Sequence, residues 1–147
     1  MKILVINGPN LNMLGKREST LYGVNTLSEI NNLLKERAKK YNVRLSFFQS
    51  NAEGTLIDFI QKESSHASGI LINPGALTHY GYSLRDALVD LGLPIVEVHL
   101  SDIESREKFR KTDVLDGIVL AKIVGLKKQS YLVGLEKLCQ VIRKRNV

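Results

Sequence analysis

The stretch KILVINGPN, at residues 2–10, is an apolar run followed by polar turn residues, a pattern that recurs along the chain. KILVI is almost wholly apolar, as in a strand buried on both faces, and NGPN consists of residues that favour turns. Four further apolar runs follow the same pattern, namely VRLSFF (43–48), GILIN (69–73), PIVEVHL (94–100) and IVLAKIV (118–124). Their near-continuous content of Val, Ile and Leu predicts the buried strands of a parallel sheet.

Segments with helical periodicity separate these runs. Thr26 and Glu29 form a predicted capping box before INNLLKERAKKY, and Ser50 or Asn51 is the expected cap of EGTLIDFIQKESS. SLRDALVDL follows the third run, a short basic turn (ESREKFRK) follows the fourth, and SYLVGLEKLCQVIRKR follows the fifth. This alternation predicts an α/β fold, a flavodoxin-like doubly wound five-stranded parallel sheet of order 2-1-3-4-5 in three αβα layers, and a single domain over residues 1–147.

Composition narrows the class of protein and ligand. Lys and Arg number 21 against 15 Asp and Glu, and this excess of +6 favours an anionic ligand. Aromatic and basic residues are not interleaved as in single-strand nucleic-acid binders, so no nucleic-acid partner is expected. Cys139 is the only cysteine, which fits a reducing compartment, and no stretch approaches the ~18 apolar residues of a membrane span. We therefore expect a cytoplasmic protein without a membrane partner.

Polar residues follow four of the predicted strands, in the segments NGPN, QSN, NPGALTH and HLS. In doubly wound folds, ligands bind outside the carboxyl ends of the strands. The residues expected to gather at this edge are therefore Asn10, Asn73, His79, His99 and Ser101. Any one of these loops is equally well explained as a turn, but four together, with two of the three histidines, favour a binding site.

Known motifs are mostly absent, and one pair of arginines allows two interpretations. The spacing of Gly8 and Gly15 does not fit a P-loop, and the chain has no G-x-G dinucleotide fingerprint. His79 and His99 lack a clear third metal ligand, although Glu97 could orient either ring. Arg106 and Arg110 lie four residues apart, as a solvated face pairing with Glu107 or as an anion clamp beside HLS.

Four long segments together resemble type II 3-dehydroquinate dehydratases: GPNLNMLGKRESTLYG, FQSNAEGTLID, INPGALTHYGYSLRDAL and LPIVEVHLSDIESREKFR. They occur in the same order as in that family and cover most of the chain. The resemblance implies a flavodoxin-like hydro-lyase that catalyses the reversible anti elimination of water from 3-dehydroquinate to 3-dehydroshikimate through an enolate. That reaction belongs to the shikimate route to aromatic amino acids or to quinate breakdown. The resemblance further implies no metal, no organic cofactor, and a homododecamer built as a tetramer of trimers.

The resemblance also implies catalytic roles. Tyr22 looks like the base that removes a proton from C2, and Arg17 looks like its activator. Asn10 would hold the water that stabilises the enolate, and His99 would protonate the departing C1 hydroxyl. Residues 17–24 look like a lid that closes over the substrate.

The remaining implied roles concern substrate binding. Asn73 and the backbone at Leu100 and Ser101 would hold the carboxylate, whereas side chains would hold the ring hydroxyls. Asp86 would reach the site from a neighbouring subunit, and Glu97 would orient a histidine. The implied substrate-binding residues are Asn73, His79, Asp86, Leu100, Ser101 and Arg110.

A tyrosine base makes one geometric demand. Phenols ionise near pH 10, so a tyrosine that acts as a base near pH 7 requires about 4 kcal/mol of stabilisation of its phenolate form. A cation at about 4 Å supplies about that much at an effective dielectric constant of 20. The sequence therefore predicts that Arg17 lies close to Tyr22.

Two alternatives remain open from the residues alone. Lys127 and Lys128 follow the fifth strand, so a Schiff-base mechanism for the same reaction is a second hypothesis. A flavodoxin-like nucleotide-binding module is a third hypothesis, and it predicts a bound flavin or nucleotide in the purified protein.

Overall fold

The computed structural model describes residues 1–146, and Val147, the last residue of the predicted domain, lies outside them. The sheet has five parallel strands in the order β2-β1-β3-β4-β5, which confirms the predicted topology. The strands are β1 (Lys2–Asn7), β2 (Arg44–Gln49), β3 (Gly69–Asn73), β4 (Ile95–Val98) and β5 (Ala121–Ile123).

Helices cover both faces of the sheet, as the αβα prediction requires. A four-residue helix, α1 (Ser19–Tyr22), precedes the long helices. One face of the sheet packs against α2 (Leu27–Lys39) and α5 (Lys128–Arg145). The opposite face packs against α3 (Glu53–Glu63) and α4 (Tyr82–Val89).

Strand β1 lies at the centre because its side chains suit both faces. Ile3 and Val5 pack into the core beneath α2 and α5, whereas Leu4 and Ile6 pack beneath α3 and α4. All four side chains are fully buried. Burying one aliphatic side chain of this size contributes about 1.5–3 kcal/mol, so a strand that is apolar on both faces is most stable between two layers of helices.

The helix starts match the sequence predictions only in part. Thr26 caps α2, and its side chain accepts the amide of Glu29 at 3.1 Å as predicted. The carboxylate of Glu29 does not complete a capping box, because it accepts from the side chain of Asn25 instead. The predicted cap of α3 is wrong: Ala52 is the N-cap, and the Ser50 hydroxyl accepts the amide of Ala52 at 3.0 Å.

The later strands are shorter than the apolar runs predicted, and this affects the site. The run 94–100 yields only the four residues of β4, so His99 lies just beyond the strand end. The run 118–124 yields only the three residues of β5. The basic turn after β4 forms two separate 3-10 turns, Ile103–Ser105 and Lys108–Lys111. Among residues 1–146, no helix combines the length and the apolar character needed to cross a membrane.

Candidate active site

A pocket opens at the carboxyl ends of β1, β3 and β4, where the sequence predicted a site. Its walls come from the loop after β1, from α1, from the turn after β3, and from the segment that follows β4. The predicted site residues that line it are Asn10, Arg17, Tyr22, Asn73, His79, His99, Leu100, Ser101 and Arg110.

Two glycines allow the loops after β1 and β3 to approach each other at the pocket floor. A side chain at Gly8 would place its Cβ only 2.2 Å from the carbonyl oxygen of Pro74. Gly75 has a φ of +59°, and a Cβ there would lie 2.9 Å from the carbonyl oxygen of Pro9. Asn10 also adopts a left-handed conformation, with φ 69°, and its amide donates to Asn51 Oδ1 at 2.9 Å. This backbone geometry holds Asn10 at the pocket wall.

A buried hydrogen-bond network beneath the pocket orients Asn73. The Tyr131 hydroxyl donates to Asn7 Oδ1 at 2.6 Å and accepts from Asn73 Nδ2 at 2.9 Å. Oδ1 of Asn73 accepts the amide of Gly75 at 3.1 Å. Burial raises the pKa of Tyr131, so its hydroxyl keeps the proton that it donates. One amide hydrogen of Asn73 remains available to a ligand.

Two guanidinium groups surround Tyr22. Nη1 of Arg106 donates to the Tyr22 hydroxyl at 2.9 Å and approaches Oγ of Ser101 at 3.2 Å. The guanidinium carbon of Arg17 lies 3.7 Å from the centroid of the Tyr22 ring. The predicted proximity of Arg17 is therefore confirmed, but Arg106 is the residue that contacts the phenolic oxygen. A phenolate formed here is stabilised by both cations.

His99 is held from behind by a buried carboxylate. Its Nε2 lies 2.6 Å from Oε1 of Glu97, and both side chains are almost completely buried. The Thr78 hydroxyl donates to the same oxygen. Burial raises the pKa of Glu97, although the contact with His99 opposes this effect. The arrangement leaves Nδ1 as the ring nitrogen of His99 that is free to meet a ligand.

His79 and Arg110 also line the pocket. Burial lowers the pKa of His79, so its ring is neutral at neutral pH. Nδ1 of His79 lies 2.7 Å from the carbonyl oxygen of Thr112 and donates to it, which leaves Nε2 as a hydrogen-bond acceptor. Arg110 pairs with Glu107 at 2.6 Å and also lines the pocket, so its predicted role as an anion clamp stays a prediction.

The family model for class II dehydroquinases matches residues 1–139 of this chain. The chain belongs to the class II dehydroquinases.

Named relatives agree over nearly the whole length. The 3-dehydroquinate dehydratase of Roseiflexus castenholzii is 57% identical over 136 residues, which cover 92% of this chain and 87% of that protein. The enzyme of the same name from Herpetosiphon aurantiacus is 50% identical, with 92% and 94% covered. The crystal structure of the type II dehydroquinase from Butyrivibrio crossotus superimposes with a TM-score of 0.90 at 43% identity, covering 94% of this chain and 97% of that one. These matches do not favour the nucleotide-binding alternative.

Three features of this dehydroquinase differ from, or go beyond, the sequence interpretation. Asp86 is exposed on α4 and does not line the pocket of its own chain. Within residues 1–146, no lysine lines the pocket, so the Schiff-base hypothesis lacks a suitably placed amine. Sequence reasoning treated Arg106 only as a possible anion clamp, and no motif distinguishes it from Arg110. Its contact with Tyr22 joins two residues 84 positions apart.

Proposed function

We propose that this protein is a 3-dehydroquinate dehydratase, which removes water reversibly from 3-dehydroquinate to give 3-dehydroshikimate. The observation that carries the proposal is the pairing of two proton-transfer groups across one pocket. On one side is Tyr22 between two arginines, and on the other is His99 backed by Glu97. The elimination needs one base and one acid, and these two groups have the matching chemistry.

The base is the phenolate of Tyr22. It takes a proton from C2, next to the C3 ketone, and the electrons of that C–H bond move to the ketone oxygen to form an enolate. Arg106 and Arg17 stabilise the phenolate before the transfer. Asn10 holds a water that donates to the enolate oxygen, as an enolate requires a hydrogen-bond donor in a preorganised position.

The acid is the imidazolium of His99. The enolate collapses, the C1–C2 double bond forms and the C1–O bond breaks, while His99 transfers its proton to the departing hydroxyl, which leaves as water. Glu97 is a positioning residue: its carboxylate fixes the ring and stabilises the imidazolium. At the end of a turnover Tyr22 carries one extra proton and His99 one fewer, so exchange with solvent resets both groups.

The substrate is bound through its carboxylate and its ring hydroxyls. Asn73 and the backbone amides of Leu100 and Ser101 hold the carboxylate. Nε2 of His79 accepts a hydrogen bond from a ring hydroxyl, and the Arg110 guanidinium donates a hydrogen bond to another ring oxygen. Residues 17–24 act as a lid, which closes over the substrate and brings Tyr22 into position.

Assembly completes the site. Asp86 is exposed and outside its own pocket, which agrees with a role in the pocket of a neighbouring subunit. The protein assembles as a dodecamer of four trimers, each chain being a single catalytic domain that uses neither metal nor organic cofactor. Its buried thiol, Cys139, suits the reducing cytoplasm, where the reaction takes place.

The experiment mixes the protein with 3-dehydroquinate and records the absorbance of the conjugated enone that forms. Tyr22→Phe is expected to abolish turnover while substrate still binds, and His99→Ala is expected to lower kcat by about 10²–10⁴-fold. Matched controls are Tyr41→Phe, before β2 at the other end of the sheet, and His66→Ala, on an exposed turn. Absence of the enone with the wild-type protein would reject the activity. Near-normal turnover of either site variant would reject that residue's role.

A further inference from the structure

Behind His99 and Glu97, a chain of buried polar contacts continues away from the pocket. The Thr78 hydroxyl, which donates to Glu97, also lies 3.0 Å from Oδ1 of Asp113. Oδ2 of Asp113 accepts from Nζ of Lys122 at 3.0 Å. Thr78, Asp113 and Lys122 do not line the pocket, so any effect that they have on a bound ligand must pass through other residues.

The position of Lys122 follows from the sheet register. Glu97 on β4 and Lys122 on β5 are directly paired, so their side chains project from the same face of the sheet. The side chain of Lys122 is 20% exposed and that of Asp113 only 1% exposed. The carboxylate of this ion pair is therefore buried, whereas Nζ of Lys122 also reaches the exposed Asp116 at 3.2 Å, so the pair joins the interior to the surface.

The ion pair affects which carboxylate receives the single hydroxyl hydrogen of Thr78. Thr78 has one hydroxyl hydrogen but contacts a carboxylate oxygen on each side, so it donates to only one of them at a time. Asp113 has other donors, the Lys122 ammonium and the amide of Leu115 at 2.8 Å. Among the described residues 1–146, Glu97 has only His99 and Thr78 as hydrogen-bond partners, and its buried Oε2 has none. The hydroxyl hydrogen is thus needed on Glu97.

Counting charges leads to the same residue. Glu97 and Asp113 as carboxylates with Lys122 as an ammonium sum to one negative charge, which the imidazolium of His99 neutralises. Burial by itself raises the pKa of Asp113, but Lys122 and the Leu115 amide outweigh it, and the pKa of Asp113 is lowered. Without Lys122, two carboxylates bridged by one hydroxyl would share a proton. Glu97, with its unpartnered oxygen, would be the carboxylate that takes it up.

We propose that Asp113 and Lys122 are a positioning pair for the elimination, which keeps Glu97 ionised and thereby keeps His99 in the imidazolium form that donates the proton. The inference rests on the proposed acid role of His99. Lys122 balances Asp113, Asp113 leaves the Thr78 hydroxyl to Glu97, and the charged Glu97 is the counter-ion of the ring.

Other titratable and charged groups surround this network, and none of them is changed by the variants below. Asp116 and Glu104 are exposed and lie 3.2 and 3.7 Å from Nζ of Lys122. The remaining groups come from the 75–79 turn, α4 and the pocket walls: His79, Arg85, Arg17, Tyr22, Arg106 and Arg110.

The test is the dependence of kcat on pH in variants of the pair. Lys122→Met allows Glu97 to take up a proton, so His99 loses its counter-ion and the alkaline limb of kcat moves to lower pH by about one unit. Asp113→Asn removes the carboxylate that opposes the ionisation of Glu97, and the Lys122 ammonium keeps Asp116 at 3.2 Å, so the limb does not move to lower pH. The double variant removes both charges, and its profile returns to within about 0.3 unit of wild type. Substrate KM stays unchanged in all three variants.

Two control variants accompany these. Lys122→Arg retains the charge and is expected to retain the wild-type profile. Lys39→Met removes an exposed ammonium paired with Glu36 at 2.7 Å and is expected to change nothing. If Lys122→Met does not fold, Lys122→Gln, which also removes the ammonium, makes the same test.

The inference is overturned by an unshifted profile in Lys122→Met, or by a double variant displaced as far as Lys122→Met. A loss that is equal at every pH and accompanied by a changed KM also rejects it, since that result indicates only structural damage. These outcomes are distinct from failure of the proposed function, which appears as full turnover in His99→Ala.

Discussion

Replacing Arg106 by Gln tests whether this residue, rather than Arg17, is the main activator of Tyr22. Nη1 of Arg106 lies 2.9 Å from the phenolic oxygen, whereas Arg17 stacks over the ring. Two unit charges about 4 Å apart attract by about 4 kcal/mol at an effective dielectric constant of 20. The side chain of Arg106 is only 14% exposed, so little of this interaction is screened by solvent. Loss of about 4 kcal/mol of this attraction in the proton-transfer step corresponds to about a 10³-fold lower rate.

The assay is kcat against pH, measured from the enone absorbance. Arg106→Gln is expected to lower kcat at pH 7 by about 10²–10³-fold, with recovery as the pH approaches about 10, where free phenols ionise. Arg17→Gln is expected to lose less, because its cation faces the ring and not the oxygen. Arg106→Lys should rescue only part of the loss, since the flexible stem of a lysine does not hold its ammonium beside Tyr22 and Ser101 as firmly as the planar guanidinium is held.

Lys108→Gln is the matched control, because Lys108 is an exposed cation on the same segment and does not line the pocket. The reasoning is refuted if Arg106→Gln retains wild-type turnover at pH 7. It is also refuted if the loss is the same at every pH, since a missing phenolate must return as the solution becomes alkaline.

Three further predictions follow from the site and its surroundings. Tyr131→Phe leaves the side-chain amides of Asn7 and Asn73 without buried partners, at about 1–3 kcal/mol each, so urea denaturation should show about 2–6 kcal/mol less stability; an unchanged midpoint contradicts this. Borohydride added with substrate should leave activity intact, and inactivation with a covalent mass increase on a lysine would reject the enolate mechanism. Light scattering should give the mass of about twelve chains, and Asp86→Ala should raise KM; a fully active monomer would refute both the assembly and the shared site.

The sequence by itself determined the layers of the fold and the edge that carries the site. Five runs rich in Val, Ile and Leu, separated by segments with helical periodicity, specify a parallel sheet between helices. Such a pattern can be read from neighbouring residues, because the burial of apolar side chains is always favourable. Thr26 was found as a cap for the same reason, because a cap acts within one turn. At the start of α3 the prediction failed, because neither Ser50 nor Asn51 is the cap and the helix begins after Ala52.

Only the tertiary structure decided which side chains meet. Arg106 and Arg17 are equally basic in the sequence, yet only one reaches the oxygen of Tyr22. Glu97 and Lys122 become neighbours through the register of β4 on β5, which no local pattern encodes. Long polar side chains reach several partners at similar cost, and packing of distant segments selects among them. Apolar periodicity therefore determines the order of strands and helices, whereas the pairing of charged side chains within the site depends on how these elements pack against one another.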